Sequence, residues 1–177
     1  MLDKSGSIGV NNWQKQIEFL KNLTEHLDVS VNRTRVAALQ HATKADVMFG
    51  FDDKTSRKEV IDALDLNIHQ QTSGNSKYHR ALNYSLYGIF KPPLRQKARK
   101  FIIGLTDDMD NQSLSDKTKQ YVREADEKAI HVITICMKLH TWDCAEASTP
   151  GYNVSVHRAG KLNEALPDVI QLICPCK

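Results

Sequence analysis

Three short stretches concentrate hard oxygen donors. Near the amino end, Asp3-Lys4-Ser5-Gly6-Ser7 sets a carboxylate and two hydroxyls at alternate positions. Ser73-Gly74-Asn75-Ser76 adds more hydroxyls, and Thr106-Asp107-Asp108 adds a hydroxyl and further carboxylates. None of the three contains His or Cys. Hard oxygen ligands in small number suit Mg²⁺ or Mn²⁺ better than zinc, which favours nitrogen and sulfur. Magnesium takes six ligands and keeps some as water, so such a set leaves a position for a carboxylate from outside. Zinc is not invited elsewhere either: Cys136, Cys144, Cys174 and Cys176 lack the CxxC spacing of a structural zinc site.

For these stretches to meet, the elements between them must bring them to one edge. Trp13, Ile17, Leu20, Leu23 and Leu27 recur at helical spacing, which predicts an amphipathic helix over 12–27. The runs at 34–39 (TRVAAL) and 46–51 (DVMFGF) read as short strands joined by a turn, a hairpin. Val60, Ile61, Leu64 and Ile68 mark a second helix. Ala81 to Phe90 marks a third, ended by Pro92-Pro93. The nearly continuous apolar runs 100–105 (KFIIGL) and 130–136 (IHVITIC) read as strands buried on both faces. A fourth helix falls between them, a short edge strand at 154–156 follows, and a last helix carries Pro167 near its first turn. Alternating strands and helices imply an α/β, doubly wound, mostly parallel sheet with helices on both faces and one antiparallel edge strand. In such sheets ligands bind beyond the carboxyl ends of the strands, where all three oxygen-rich stretches fall. Only Met1-Leu2 precede Asp3, so the first strand, central in this architecture, is expected to be cut short at the amino end of a single domain spanning 1–177.

The D-x-S-x-S of Asp3, Ser5 and Ser7, followed by Ile8-Gly9, resembles the opening of a von Willebrand factor type A domain. Gly74-Asn75-Ser76 ahead of Ala81-Leu82 stands where that family has a Gly-x-Thr loop before an Ala-Leu helix. Thr106-Asp107-Asp108 stands where it has Thr-Asp-Gly after an apolar strand. The resemblance covers essentially the whole chain in element order. It implies a metal-ion-dependent adhesion site, with Asp3, Ser5, Ser7, Ser76 and Asp107 as ligands and Thr106 and Asp108 beside them. The implied cofactor is Mg²⁺, or Mn²⁺ or Ca²⁺. The implied partner is collagen or another matrix protein, offering an acidic side chain to the metal. Two departures stand out. Ser76 keeps the hydroxyl of threonine without the methyl that fixes its rotamer. Asp108 puts a third carboxylate where the family has glycine.

Other features narrow the function class. The 177 residues are 41% hydrophobic and 25% charged, enough for a packed core. A net charge of +3 gives no electrostatic footprint for nucleic acid. No apolar run reaches the roughly 20 residues that span a bilayer, so membrane insertion is not expected. Four cysteines are expected to form two disulfides, with pairing open. Sequons at Asn22, Asn32, Asn83, Asn111 and Asn153 lean the same way, towards a secreted matrix protein. The alternative is an intracellular domain of the same family serving as a scaffold subunit in a larger complex. Lys91, Arg95, Lys97, Arg99 and Lys100 read as a solvated surface at the pole opposite the metal, with glycosaminoglycan binding as their functional alternative. His79 is expected at the surface. No enzyme is expected: a D-x-D phosphotransferase pair is absent because Ser5 stands at its second position, and no P-loop or GxGxxG occurs.

Overall fold

A computed structural model describes the chain except residues 94, 108–111, 138–142, 157 and 175–177, and for 112–115 and 143–144 it describes the backbone alone. The strands are β1 (Leu2–Asp3), β2 (Ala38–His41), β3 (Ala45–Phe49), β4 (Lys100–Thr106), β5 (Ile130–Cys136) and β6 (Asn153–Ser155). The helices are α1 (Gly9–Glu25), α2 (Arg57–Asp65), α3 (Tyr78–Tyr84), α4 (Gln112–Glu127), α5 (Asp143–Glu146) and α6 (Leu166–Ile173). A π turn (Ser85–Ile89) extends α3, and a 3-10 turn (Ala159–Ala165) leads into α6.

Strands β1-β2-β3 form one ladder and β4-β5-β6 another. Met1 joins them: its amino group donates to Ile103 O at 2.7 Å, and its carbonyl accepts from Leu105 N at 3.0 Å. The strands therefore run in the order β3-β2-β1-β4-β5-β6, parallel throughout except for β3 at the edge. Burial pushes the Met1 amino group down to about 5.

Alternation along β4 and β5 feeds two cores. Leu105, Ile133 and Ile135 point to the face covered by α1 and α6, around Trp13, Ile17 and Val169. Ile102, Ile130 and Val132 point to the other face, with Tyr78, Leu82 and Val122 from α3 and α4. Both faces of these strands are apolar because both are covered, as their unbroken hydrophobic runs required.

Several expectations shift. β2 begins at Ala38, not Thr34, because a strand needs a ladder: β1 pairs only with Gln40 and His41, and β3 reaches down only to Ala38. His79 is buried, at 7% exposure, because the first turn of α3 packs against β2. Cys136 is disulfide-bonded, but Cys174 carries a free thiol, so full oxidation in two bridges is overturned. The side chains of Cys144 and Cys176 lie outside the described residues. No helix among the described residues is long and apolar enough to cross a membrane.

Candidate metal centre

The chain turns sharply after β1, and the turn is held from both ends. Lys4 N donates to His41 O at 2.7 Å, and Ile8 N closes onto Ser5 O at 3.2 Å. The loop after β1 is also zipped to the loop before α3. Gly6 N donates to Gly74 O at 2.9 Å, and Ser73 N to Lys4 O at 3.0 Å. Gly74 has φ +79°, and a Cβ there would stand 2.6 Å from Thr43 Oγ1. Only glycine takes that backbone without strain, and only glycine lets the loop approach the β2–β3 turn so closely.

This zipping brings the predicted residues into two hydrogen-bonded groups. Asp3 is fully buried and serves as a hub. Its Oδ1 accepts from Ser5 N at 2.9 Å. Its Oδ2 accepts from Ser76 Oγ at 3.0 Å and from Thr106 Oγ1 at 2.8 Å. Beside it, Ser5 Oγ lies 3.0 Å from Ser7 Oγ, and Ser7 Oγ donates to Asp107 Oδ1 at 2.9 Å. Asp3, Ser5 and Thr106 are buried, Ser76 and Asp107 are half-buried and Ser7 is exposed, so the cluster is sealed below and open above. All five predicted ligands and Thr106 thus come together; Asp108 lies outside the described residues.

One partner of the site was not foreseen. Gln16 of α1 is fully buried and clamps the backbone of Asp3. Asp3 N donates to Gln16 Oε1 at 2.9 Å, and Gln16 Nε2 donates to Asp3 O at 2.8 Å. A signal existed: Gln16 interrupts the apolar stripe of Trp13, Ile17 and Leu20 at helical spacing. Tyr78 is the second such residue. It follows Ser76 by two positions and anchors that loop in the core, its hydroxyl 2.7 Å from Thr134 Oγ1. Burial raises its phenol pKa; the Thr134 hydrogen bond opposes this and the Asp3 charge adds to it, so the hydroxyl stays neutral.

The donor set is two carboxylates with three serine hydroxyls and a threonine. Among the described residues no cluster of three or more His, Cys, Asp or Glu is placed to hold a metal. Any ion here would be held by hard oxygen, largely neutral, with its charge only partly offset. A groove of about 670 Å³ opens directly beside Ser7 and Asp107. Lys15, Arg158 and Lys161 line it, as does Glu164, which is ion-paired with Lys161.

In the basic run at the other pole Lys91, Lys97 and Arg99 are exposed and Arg95 and Lys100 half-buried. Arg99 donates to Ile173 O at 2.9 Å and to Leu172 O at 3.2 Å, at the carboxyl end of α6, and stacks over Phe101. Arg95 donates to Arg33 O.

A sequence model described as the von Willebrand factor type A domain matches residues 1–163. Human vitrin is 31% identical over 107 residues, 60% of this chain and 15% of vitrin. The collagen alpha-1(XII) chain of Notophthalmus viridescens is 28% identical over 126 residues, 70% of this chain and 13% of that one. The match spans between 4% and 19% of the length of the curated relatives. Proximal thread matrix protein 1 from the mussel byssus superposes with a TM-score of 0.86 at 22% identity, covering 98% of this chain and 44% of that one. A second structure of that protein, with a zinc-occupied MIDAS motif, gives a TM-score of 0.86 at 21% identity over the same shares of the two chains, 98% and 44%. Manganese-loaded TRAP protein of Plasmodium vivax gives 0.78 at 18% identity, covering 97% and 70%. At such identities the structural likeness speaks to the fold alone. The family match over nearly the whole chain speaks to membership: this chain belongs to the von Willebrand factor type A domain family.

Proposed function

We propose that Asp3, Ser5, Ser7, Ser76 and Asp107 hold a divalent cation, Mg²⁺ or Mn²⁺, and that the exposed side of this site binds an acidic side chain of an extracellular matrix protein such as collagen. The observation that carries the reading is the joining of three loops, distant in sequence, into one hydroxyl-and-carboxylate cluster buried at Asp3 and open at Ser7. The bound ion supplies an open coordination position for an outside carboxylate. The chain's own residues do the rest. Asp3 fixes Ser76 and Thr106, Asp107 orients Ser7, and Gln16 fixes the backbone from which Asp3 projects. The groove beside the ion carries Lys15 and Arg158, which favour an acidic segment around the metal-bound carboxylate.

Relatives that include collagen chains support a matrix setting, as does the bonded Cys136, since disulfides persist in oxidising compartments. Metal ions named in the structural neighbours, zinc and manganese, support a cation site of this kind. Calorimetry with Mg²⁺, Mn²⁺ and Zn²⁺ tests the site: one binding event is expected, lost in Asp107→Ala. Adhesion to immobilised collagens, with Mg²⁺, with EDTA and with raised salt, tests the partner. Binding abolished by EDTA is expected. Binding indifferent to EDTA that falls steeply with salt would move the working surface to the basic pole of Lys91, Lys97 and Lys100 and its glycosaminoglycan reading.

A further inference from the structure

Two of the sequons sit where the folded chain can carry a sugar. Asn32 is the third residue of a tight turn, closed by Arg33 N donating to Ser30 O at 3.2 Å, and Thr34 N reaches back to Asp28 O at 3.0 Å. Val31, Asn32 and Arg33 are all exposed, so the turn stands out from the surface between α1 and β2. Asn153 opens β6, where the alternation of a strand sets its direction. Val154 is buried in the core shared with α1 and α6, while Asn153 and Ser155 are exposed on the opposite face.

The other two described sequons are built into packed helices. Asn22 of α1 is half-buried, and its Nδ2, the atom a sugar would take, donates to Asn163 Oδ1 at 3.2 Å in the 3-10 turn. That turn packs against α1, so a branched sugar at Asn22 would have to push it aside. Thr24, the end of the same sequon, is buried with its hydroxyl donating to Leu20 O at 2.7 Å. Asn83 of α3 is half-buried between Leu82 and Ser85, both of them buried. Asn111 lies outside the described residues.

We propose that Asn32 and Asn153 carry N-linked oligosaccharides and that Asn22 and Asn83 stay bare in the folded protein. This rests on the matrix setting given under the proposed function. The transfer forms a bond from asparagine Nδ2 to the anomeric carbon of the first sugar. The anomeric bond to a polyprenyl diphosphate donor breaks, the diphosphate leaves, and the amide gives up one proton. Position gives each sugar a consequence. β6 is the outer strand of its ladder, and among the described residues no strand pairs with its far edge. A bulky hydrated chain at Asn153 blocks strand addition there. Standing on the face opposite Val154, it leaves the groove of Lys15 and Arg158 open. β2 runs parallel to β1, whose far end carries Asp3, so the turn ahead of β2 lies at the pole opposite the metal centre. Arg95 donates to the Arg33 carbonyl next to Asn32, so the Asn32 sugar stands beside the basic run and hinders anionic polysaccharides there. Both sugars leave the metal edge as the open face.

The test secretes the full chain from cultured animal cells behind a cleavable leader, with Asn111→Gln to remove the sequon outside the described residues. The leader delivers the chain to the transferase whatever its natural compartment. Bare asparagines would therefore count against these two sites and leave the matrix reading to its own adhesion test. Release by peptide N-glycosidase in heavy-oxygen water labels each carrier position, and peptide mapping reads the label. Label is expected at positions 32 and 153 in most molecules and at neither 22 nor 83. Asn32→Gln and Asn153→Gln should each abolish one step of electrophoretic mobility, and the double variant both. Thr34→Val and Ser155→Ala, which break the sequons and keep the asparagines, give the same readout should a glutamine variant fail to be secreted. Label at Asn22 or Asn83, or an Asn32 or Asn153 bare in most molecules, would overturn the proposal.

Discussion

Replacing Gln16 by leucine isolates what holds the metal loop to the fold. The side chain is fully buried and makes two hydrogen bonds, both to the backbone of Asp3, at 2.9 and 2.8 Å. Leucine fills similar space but leaves the Asp3 N–H and C=O buried and unpaired. Each orphaned group costs about 1–3 kcal/mol, so the loss is roughly 2–6 kcal/mol. Better burial of an apolar side chain recovers about 1–2 kcal/mol of that. A net loss of about 0–5 kcal/mol, centred on about 2–3 kcal/mol, remains. At about 2–4 °C per kcal/mol for a chain of this size, the central value lowers the midpoint by roughly 4–12 °C.

Urea unfolding should show the midpoint moving with its slope unchanged, the mark of a stability effect on a cooperative transition. Cation affinity should fall as well, since Asp3 positions Ser5, Ser76 and Thr106. Gln16→Glu sharpens the reasoning. A protonated carboxyl can accept from Asp3 N and donate to Asp3 O, as the amide does; a carboxylate cannot donate and would be buried beside Asp3. Its folded pKa is therefore raised above the unfolded one. Stability in this variant should be greatest at low pH and decline as pH rises through the folded value, relative to the wild-type profile. A Gln16→Leu variant within about 0.5 kcal/mol of the parent would refute the reasoning, because the Asp3 backbone would then have found other partners.

Gly104→Ala should cost about 2–4 kcal/mol, since the added Cβ would sit 2.0 Å from the Tyr78 hydroxyl; chemical unfolding measures it, and Tyr78→Phe should relieve only part, because the ring carbon Cζ remains at 2.7 Å. Lys15→Ala with Arg158→Ala should weaken adhesion to an acidic partner by about tenfold and leave Mg²⁺ calorimetry unchanged; a parallel loss of Mg²⁺ binding would mean these residues support the loop instead. Alkylation of the native, unreduced protein with peptide mapping should label Cys174 and spare Cys136. Asp3→Ala and Asp107→Ala should both abolish cation binding. Only Asp3→Ala should also lower the melting midpoint by several degrees, because it strips three hydrogen bonds from a buried hub.

The parts of the fold that were legible in the sequence are those whose burial is decided within one element. KFIIGL and IHVITIC read as strands covered on both faces, and β4 and β5 lie at 100–106 and 130–136. The stripe from Trp13 to Leu27 read as a helix, and α1 covers most of it, ending at Glu25. Elements decided by a partner were less legible. TRVAAL has strand composition from Thr34, yet the ladder starts at Ala38 because β1 and β3 offer nothing lower to bond. The run from Lys91 to Lys100 looked uniformly solvated. Lys91, Lys97 and Arg99 are exposed, and the arginines also satisfy carbonyls at Arg33 and at the end of α6, a use of guanidinium that no local pattern announces.

The site follows the same division. Its donor types were readable because loop position and oxygen chemistry are local. Its internal hierarchy was not, because that depends on which oxygens face one another across the fold. Both carboxylate oxygens of Asp3 are engaged by groups from its own loop, the second loop and the end of β4, so its charge is spent on holding three segments in register. Asp107 sits at the half-buried rim, and Ser7 links it to the exposed surface. A cation in this cluster would meet one carboxylate committed to architecture and one facing the partner's side. With neutral hydroxyls as its other donors, such a cation would keep part of its charge unbalanced by the two carboxylates, which is the condition under which the proposed site would accept an anionic side chain from another protein.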